Sequence, residues 1–398
     1  MKQYYQLGLM SIFMGCATSP SHEAAFFIEG NQPSVSVPFT LDDNRNFIEV
    51  KLNGQGPFQI ILDTGGGDGI LITPSVARAI GVKVEGAHDL SGAGAVTEQA
   101  GTALISEVQI GPIHLMNLHA TVISLDKLTR AIGFERMDGV IGQELFARLV
   151  TTIDFESGKI IFTRPSAYSK LDGMVVIPLV IEDGAPYIQA GIGDVKGRFL
   201  VDTGDRSSLS FCGPFTEQFN LLDKIKPQVE TMTGWGVGGP IPAKVGRVRR
   251  LDLGAISVQG VVTRFPTLKT GIFGSKDIAG LIGNGVLKKF QVTFDYSRAE
   301  LLLTPNSHFA DRDPYDRAGI WIGKAEDGFE VLAVVKDGPA DQAGIKVGDR
   351  ILAIDGITGG RMGEARRRLK ASGSMQVQLR VRSDLRERTI SMQLRDLI

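Results

Sequence analysis

The chain has 398 residues, of which 43% are apolar and 22% are charged, and its formal net charge is −1. This length exceeds one ordinary hydrophobic core and predicts about two to four domains, with a composition typical of globular proteins. The near-zero charge argues against nucleic acid as the main partner, because phosphate binding usually requires a basic excess. Glycine and β-branched residues are plentiful and long helical periodicities are scarce, which favours a largely β protein.

The first segment, residues 1–30, predicts an export signal followed by a linker. Its apolar run is too short to span a bilayer and ends at Gly15-Cys16. A small residue before Cys resembles the cleavage box of bacterial lipoproteins, which implies a lipid on Cys16 and a periplasm-facing protein anchored to the outer membrane. Ordinary secretion is the alternative, because Phe13 and Met14 depart from that box.

The next notable stretch, FQIILDTGGGDGI, runs from an apolar strand into Asp63 and a cluster of glycines. A lone Asp-Thr-Gly is often only a turn, since Asp bonds local backbone and Gly accepts positive φ. Here the preceding residues, NFIEVKLNGQGPFQIILDTG, predict a β-hairpin that ends at Asp63. Further on, the apolar-apolar-Gly segment Val140-Ile141-Gly142 is predicted to open a short helix.

The same pattern returns in the second half of the chain. GRFLVDTGDRSSLSF contains Asp202, and AGLIGNGVLKKF contains Gly283. Gly142 lies 79 residues after Asp63, and Gly283 lies 81 residues after Asp202. Matched blocks at nearly constant offsets predict two similar lobes.

Two lobes of this kind resemble the retropepsin-like and pepsin-like aspartic proteases over roughly residues 35–305. The resemblance implies a mainly β fold, in which two tandem retropepsin-like lobes form a pseudo-dimer. It implies a catalytic pair made of Asp63 and Asp202 that uses neither a metal nor a cofactor. The residues expected to support the pair are Thr64, Gly65, Thr203, Gly204 and Asp205.

Two carboxyl groups within hydrogen-bond reach suit hydrolysis of a peptide bond. They cannot both ionise easily, so they share a proton, and one acts as an acid while the other acts as a base. A water between them can be deprotonated as it attacks the carbonyl. The five His residues show no ligand spacing that would favour a metal site.

Two residues depart from the family pattern, in which Ser, Thr or Ala follows Asp-Thr-Gly. Gly66 and Asp205 stand at these positions. The carboxylate of Asp205 could raise the pKa values of the pair. Alternatively, it could face solvent or pair with Arg206 or another base.

Gly-rich segments between each Asp-Thr-Gly and the later glycine motif are predicted to be flaps over the cleft. They are HDLSGAGAVTE and TMTGWGVGGPIP. Such flaps exclude water and bind extended peptide through the backbone; the alternative is a pair of disordered glycine loops. The residues expected to contact substrate are Gly92, Ala93, Gly94, Trp235 and Gly236.

The C-terminal part, from about residue 312, resembles the α+β PDZ domains of bacterial envelope proteases. The resemblance rests on AGIWIGKAEDGFEVLAVVKDGPADQAGIKVGDRILAIDG. It implies that Gly319-Ile320-Trp321-Ile322 presents backbone amides to the C-terminal carboxylate of a peptide. Trp321 could instead be a core residue.

The segment from Arg361 to the end carries ten Lys or Arg and four Asp or Glu. A basic face of this kind could steer acidic peptides or lie near anionic lipid. A solvated helix face and a charged edge strand are the alternative.

Together these features predict an aspartic endopeptidase that cuts envelope or imported polypeptides with the help of its PDZ domain. The rival is a non-catalytic envelope adaptor that binds peptides on the same scaffold. The oligomeric state is left open. The predicted domains are a lipoprotein-type signal and linker at 1–30, protease lobe 1 at 31–165, protease lobe 2 at 166–308 and the PDZ domain at 309–398.

Overall fold

The computed structural model describes residues 25–227, 229–373, 376–384 and 386–398. The fold is mainly β, as predicted, and consists of two lobes followed by a smaller C-terminal domain. The lobes share one large apolar core, and the C-terminal domain has its own.

Lobe 1 is built on a twisted sheet with the strand order β1-β9-β6-β10-β5-β4-β8-β7, and β3 pairs with β4. Its strands are β1 (Phe26–Ile28), β2 (Ser34–Pro38), β3 (Thr40–Asp42), β4 (Arg45–Leu52), β5 (Gln55–Leu62), β6 (Ile70–Ile72), β7 (Glu85–Leu90), β8 (Glu98–Ile110), β9 (Ile113–Val122), β10 (Gly139–Ile141), β11 (Val150–Asp154) and β12 (Lys159–Thr163). Its helices are α1 (Pro74–Ala79), α2 (Asp126–Ile132) and α3 (Gln143–Phe146).

Lobe 2 repeats this plan with the strand order β14-β15-β16-β21-β17-β20-β19-β18. Its strands are β13 (Val175–Pro178), β14 (Val180–Glu182), β15 (Ala185–Ile192), β16 (Val195–Asp202), β17 (Leu209–Phe211), β18 (Val229–Gly236), β19 (Gly239–Leu253), β20 (Ile256–Pro266), β21 (Gly280–Gly283), β22 (Phe290–Asp295) and β23 (Glu300–Pro305). Its helices are α4 (Gly213–Gln218), α5 (Leu221–Ile225) and α6 (Asn284–Leu287).

A third sheet joins the lobes in the order β13-β23-β22-β11-β12-β2. The two central strands, β11 and β22, occupy equivalent places in the two repeats and pair antiparallel, with Thr151 opposite Phe294. The hydroxyls of Thr152 and Thr293 are hydrogen-bonded across this seam at 2.8 Å. The lobes therefore form a pseudo-dimer that holds the two Asp-Thr-Gly loops face to face.

Some strands lack alternation between apolar and polar residues because they lie in the centre of a sheet and are buried on both faces. Ile60, Ile61 and Leu62 at the end of β5 are all buried, because parallel β10 lies beside them and both faces of the sheet are covered. By contrast, β2 alternates exposed and buried residues. Phe26–Ile28 forms β1 and pairs with β9, so lobe 1 begins within the segment predicted to be a linker.

The C-terminal domain is a five-stranded antiparallel sheet packed against helices, with the strand order β24-β25-β26-β27-β28. Its elements are β24 (Ile320–Ala325), β25 (Gly328–Val334), α7 (Pro339–Gln342), β26 (Arg350–Ile354), α8 (Met362–Lys370), β27 (Gln376–Ser383) and β28 (Arg386–Gln393). This domain docks on both lobes, and helix α2 of lobe 1 packs against β24.

Candidate active site

The two Asp-Thr-Gly loops leave equivalent strands. Asp63 follows β5, and Asp202 is the last residue of β16. The apolar-apolar-Gly segments lie beside them, because β10 pairs parallel with β5 and β21 pairs parallel with β16. A Cβ on Gly142 would lie 1.7 Å from the carbonyl oxygen of Asp63, so only glycine allows this approach.

Thr64 and Thr203 lock the two loops together. Each backbone amide donates to the hydroxyl of the opposite threonine at 3.0 Å. The Thr64 hydroxyl donates to the Val201 carbonyl at 2.6 Å, and the Thr203 hydroxyl donates to the Leu62 carbonyl at 2.9 Å. Both threonines are buried, so these reciprocal bonds fix the relative position of the loops without competition from water.

The carboxyl groups of Asp63 and Asp202 meet at the centre of this arrangement and are hydrogen-bonded to each other. The Gly65 amide donates to Asp63 Oδ1 at 2.7 Å, and the Gly204 amide donates to Asp202 Oδ1 at 2.8 Å. A Cβ on Gly204 would lie 2.2 Å from Asp63 Oδ2, whereas a Cβ on Gly65 would lie 3.3 Å from Asp202 Oδ2. The structure thus brings all these predicted residues into one site.

The electrostatics of the pair favour a shared proton. Burial raises the pKa of Asp63 above its usual value, although the Gly65 amide opposes the shift. Burial, and then the adjacent charges of Asp63 and Asp205, raise the pKa of Asp202 well above its usual value. Two carboxyls in this setting can hold one proton between them, so the pair contains both an acid and a base.

Asp205 neither faces solvent nor pairs with Arg206. Its buried carboxylate accepts hydrogen bonds from Arg264 at 3.0 and 2.8 Å, and its backbone amide donates to Asp202 Oδ1 at 2.9 Å. Burial alone would raise the pKa of Asp205, but the Arg264 guanidinium and the hydrogen bonds from Ser207 hold it below its usual value. Asp205 therefore supports the pair through its backbone and carries a compensated negative charge.

Gly66, the other departure from the family pattern, is closely surrounded by Val140 and the backbone of Asp63. Its amide donates to the Asp63 carbonyl at 3.3 Å, and a Cβ would lie 3.0 Å from Val140 Cγ1. Glycine relieves crowding between the loop and β10 at this position.

The two predicted flaps are β-hairpins, and their tips touch. The loop between β7 and β8 contains Gly92, Ala93 and Gly94, and the β18–β19 turn follows Gly236. The Gly94 amide donates to the Val237 carbonyl at 2.8 Å. A Cβ on Gly236 would lie 2.7 Å from the Cβ of Ala93, so small residues permit this contact.

Trp235 anchors the second flap on lobe 1. It is partly buried and packs against an apolar cluster whose buried members include Phe47, Ile61 and Leu90. The flap of lobe 2 therefore closes over lobe 1. The sequence predicted that Trp235 lies on a flap, but it did not predict that the side chain packs into this cluster of lobe 1.

The predicted carboxylate loop of the PDZ domain is already occupied by a carboxylate of the chain itself. Asp316 Oδ2 accepts hydrogen bonds from the amides of Gly319 and Ile320, the latter at 3.1 Å, and Ala318 also contributes an amide. Burial raises the pKa of Asp316 to about 6, although these amides oppose the shift. The structure thus differs from the expectation that the loop amides are free for a peptide.

Trp321 and Ile322 lie in strand β24 and pair with β25. The Trp321 indole donates to the Ala131 carbonyl of α2 at 3.1 Å. The last carbonyls of a helix lack intrahelical donors, so α2 offers acceptors at this end. Trp321 therefore joins the PDZ domain to lobe 1 and is neither a loop residue nor part of the PDZ core.

Other predictions concern the membrane and metals. Cys16 and the rest of the predicted signal lie outside the described residues. No helix in the described part of the chain is long and apolar enough to cross a membrane. The same part contains no group of three or more His, Cys, Asp or Glu placed to hold a metal ion.

Sequence reasoning missed four charged residues of this region, namely Arg264, Asp43, Arg366 and Asp316. Arg264 lies 59 positions after Asp205, and Asp43 joins Arg206 to the PDZ residue Arg366. No local sequence pattern predicts ion pairs between residues so far apart in the chain. Asp316 had a detectable signal, because an Asp three residues before Gly319 can bond nearby backbone amides.

Comparison with protein families gives two matches. The Aspartyl protease family model matches residues 48–145, and the PDZ domain model matches residues 330–383. No curated protein matches the chain. The first match contains Asp63 and its glycine motif, and the second covers β26, β27, both helices and part of β25 of the C-terminal domain.

Two solved structures share part of the chain path at low sequence identity. The aspartic proteinase from Irpex lacteus has 14% identity and a TM-score of 0.46, with 70% of this chain and 98% of that chain covered. Basic 7S globulin from soybean has 12% identity and a TM-score of 0.41, with 69% and 96% covered. Neither likeness bears on what this chain does. From the matched families and the two-lobed geometry, we conclude that the chain combines an aspartyl protease-like fold with a C-terminal PDZ domain.

Proposed function

We propose that the chain is an aspartic endopeptidase in which Asp63 and Asp202 activate water for hydrolysis of peptide bonds. The observation that carries the proposal is the hydrogen-bonded carboxyl pair, held by the buried Thr64 and Thr203. The raised pKa values of both aspartates support it, because they favour one shared proton.

The reaction follows from this protonation state. The ionised carboxylate takes a proton from a water molecule as the water oxygen attacks the peptide carbonyl carbon. The protonated carboxyl donates its proton to the developing oxyanion. The tetrahedral intermediate then collapses as the C–N bond breaks. The ionised carboxylate accepts a proton from one hydroxyl of the intermediate, and the protonated carboxyl donates its proton to the leaving nitrogen.

The flaps supply substrate binding. Their glycines leave backbone groups accessible to an extended polypeptide, and their touching tips exclude water from the cleft. The PDZ domain assists recognition of the substrate or of a partner. We further propose export to the periplasm with a lipid anchor on Cys16, on the basis of the Gly15-Cys16 segment alone.

Cleavage of a peptide library from about pH 3 to about pH 8 tests this function. Asp63→Asn and Asp202→Asn should each lower turnover by at least about 100-fold, because each removes the shared-proton pair. Asp172→Asn, in an exposed turn, is the matched control and should retain wild-type turnover. Inhibition by a peptide mimic with a hydroxyl at the scissile position, without inhibition by chelators, is the second expected result.

Two results would contradict the proposal. Near-wild-type turnover in either variant would exclude Asp63 and Asp202 as the catalytic pair. Peptide binding by the folded wild-type chain without cleavage at any pH would favour the non-catalytic envelope adaptor instead.

A further inference from the structure

A turn of lobe 1 reaches across to the Asp202 loop of lobe 2. It is the two-residue turn Asp43-Asn44 between β3 and β4, in which φ is 44° and 61°. Asp and Asn tolerate positive φ, which two-residue hairpin turns often require. The Asp43 carboxylate bonds Arg206 of lobe 2 and Arg366 of the PDZ domain. The turn is therefore held from two sides.

Asn44 makes three hydrogen bonds to lobe 2. Its side-chain Nδ2 donates to the Arg206 carbonyl at 2.8 Å, and its Oδ1 accepts from Lys288 Nζ at 3.0 Å. Its backbone carbonyl accepts a hydrogen bond from Asn284 Nδ2 at 2.9 Å. Both the side chain and the backbone of Asn44 therefore contact the segments that surround Asp202.

Asn284 joins this turn to the Asp202 loop. It is the first residue of α6, it directly follows the glycine motif, and its side chain is fully buried. Its Nδ2 donates a second hydrogen bond to the Thr203 carbonyl at 2.6 Å, and its backbone amide donates to the Asp205 carbonyl at 2.8 Å. A buried side-chain amide with both protons bonded keeps one orientation, because an unbonded donor would cost free energy there.

The Thr203 carbonyl and the Gly204 amide belong to one peptide group. A trans peptide is planar, so its C=O and its N–H point in opposite directions. Asn284 holds the oxygen, and the N–H on the other side donates to Asp202 Oδ1 at 2.8 Å. Burial and the Asp63 charge raise the pKa of Asp202, and the Gly204 amide opposes this shift. Asn284 therefore fixes the direction of an amide that stabilises the ionised pair.

The internal repeat provides a comparison for these bonds. The equivalent turn of lobe 2, Asp183-Gly184, has glycine in place of Asn44. Gln143 of lobe 1 stands in place of Asn284, but its side chain bonds Asp68. The repeated fold thus does not itself require the two asparagines, which serve only one of the two loops.

We propose that Asn284 is a positioning residue for hydrolysis at the carboxyl pair. It holds the Thr203 carbonyl against the Asn44 turn and so directs the Gly204 amide to Asp202. Asn284 acts through this amide and does not touch the reacting atoms. The inference rests on the proposed function, because it assigns a residue to that reaction.

Asn284→Leu tests the role, because it removes the donor at a similar side-chain size. The pH titration of isotope-labelled aspartate carboxyls is followed by NMR, with Asp63→Asn and Asp202→Asn assigning the signals of the pair. Without a directed Gly204 amide, the ionised pair is less stable, so both of its apparent pKa values should rise. The charges of Asp205 and Arg264, which also act on the pair, are unchanged in this variant.

Turnover gives a second readout. In Asn284→Leu, kcat/KM at the wild-type pH optimum should fall by at least about tenfold, because the pair is misaligned. KM should stay near its wild-type value, since Asn284 lies beneath the loop and makes no contact with either flap in the described structure.

Asn44→Gly tests the other end of the contact. It keeps the positive φ and the backbone carbonyl but removes the side-chain bonds to Arg206 and Lys288. It should raise the same pKa values and lower kcat/KM by at least about threefold. The matched control is Asn117→Gly, at an exposed residue with a φ of 57°, and it should change neither readout.

An unchanged carboxyl titration in folded Asn284→Leu would overturn the proposal. If leucine at this buried position prevents folding, an unchanged titration in Asn44→Gly would overturn it instead. Lower stability without a change in titration would show that the asparagines serve the fold alone. The titration does not require turnover, so failure of this proposal is distinguishable from failure of the protease function.

Discussion

Asp205 shows how a single residue can adjust the carboxyl pair without belonging to it. Its backbone amide binds Asp202, while its side chain points the other way and meets Arg264. Its negative charge raises the pKa values of both Asp63 and Asp202. The opposite charge of Arg264 partly cancels that effect. The Asp205–Arg264 ion pair therefore influences the pKa values of the two carboxyl groups.

Asp205→Asn should therefore shift the pH profile of turnover toward acid. Removal of the negative charge leaves Arg264 unbalanced, so the pKa values of Asp63 and Asp202 fall and both limbs of the profile move to lower pH. The measurement is kcat/KM across pH for a single peptide substrate, because that profile reports the pKa values of the free enzyme.

The double variant Asp205→Asn/Arg264→Gln is the control for this experiment. It removes both charges and should return the profile toward that of the wild type. It also avoids the loss of about 3–5 kcal/mol expected when one partner of a buried pair is left alone. A folded Asp205→Asn variant with an unchanged profile would show that Asp205 does not influence the pair.

The parts of the site that sequence could predict are those set by short-range constraints. Gly142 and Gly204 must be glycine because backbone or carboxylate atoms occupy the space of a Cβ, and such positions recur at the same offsets in both halves. The partner of Asp205 could not be predicted, because β20 brings Arg264 to it through the sheet topology.

The contact between the two flaps is a feature of the fold that the sequence did not predict. Sequence indicated two glycine-rich hairpins, one in each lobe, but not that their tips would bond to each other. The Val96 amide donates a hydrogen bond to the Gly238 carbonyl at 3.1 Å, in addition to the hydrogen bond from the Gly94 amide to the Val237 carbonyl. The two flap tips are therefore hydrogen-bonded to each other, and we expect the flaps to open and close together.

Gly94→Ala should impair this closure. A Cβ at position 94 would lie 2.0 Å from the Gly238 carbonyl carbon, so the tips cannot approach as they do here. We expect kcat/KM to fall by at least about tenfold, while the free energy of unfolding changes by less than about 0.5 kcal/mol.

Val96→Ala in the same loop is the matched control, because its side chain is 58% exposed. It should leave both kcat/KM and the urea midpoint near their wild-type values. Wild-type kcat/KM in Gly94→Ala would mean that productive complexes do not need the flap contact.

Helix α2 links these elements. It packs against the flap strand β18 on one side and against the PDZ strand β24 on the other. Its last carbonyls accept hydrogen bonds from Trp321 and Arg366 of the PDZ domain. The helix ends at Gly133 with a φ of 78°, a left-handed conformation in which glycine commonly terminates helices. A short helix of lobe 1 thereby connects the PDZ domain to the flap of lobe 2.

At the scale of the whole molecule, one carboxylate joins all three parts. Asp43 of lobe 1 is bonded to Arg206 of lobe 2 at 2.6 Å and to Arg366 of the PDZ domain at 2.7 Å, and Arg45 lies 3.6 Å away. All these side chains are largely buried. The PDZ domain is therefore held in place by a charged junction in addition to its apolar contacts.

The resemblance to known families predicted the two lobes and the PDZ domain, but not how they are joined. The residues of the junction are hundreds of positions apart, as with Asp43 and Arg366, and each looks like an ordinary surface charge in the sequence. Only the docked arrangement turns them into a buried network.

Asp43→Asn should destabilise the assembled chain by about 3–5 kcal/mol, because it leaves buried guanidinium groups without their shared carboxylate. The free energy of unfolding can be measured by urea unfolding followed through tryptophan emission.

Asp42→Asn is the matched control, since Asp42 makes no ion pair in the described structure. It should change the free energy of unfolding by less than about 1 kcal/mol. Equal stability of the two variants would show that the Asp43 carboxylate does not stabilise the junction.

The junction also predicts how stability depends on pH. Burial alone would raise the pKa of Asp43, but Arg206, Arg366, Lys370 and Arg45 together hold it well below its usual value. A carboxylate with a depressed folded-state pKa contributes stability above its unfolded pKa of about 4 and loses it as the pH falls toward the folded value. The free energy of unfolding of the wild type should therefore decrease below about pH 4, and the difference between wild type and Asp43→Asn should narrow over that range. A constant difference between the two proteins from neutral pH down to about pH 2 would mean that Asp43 does not titrate with folding.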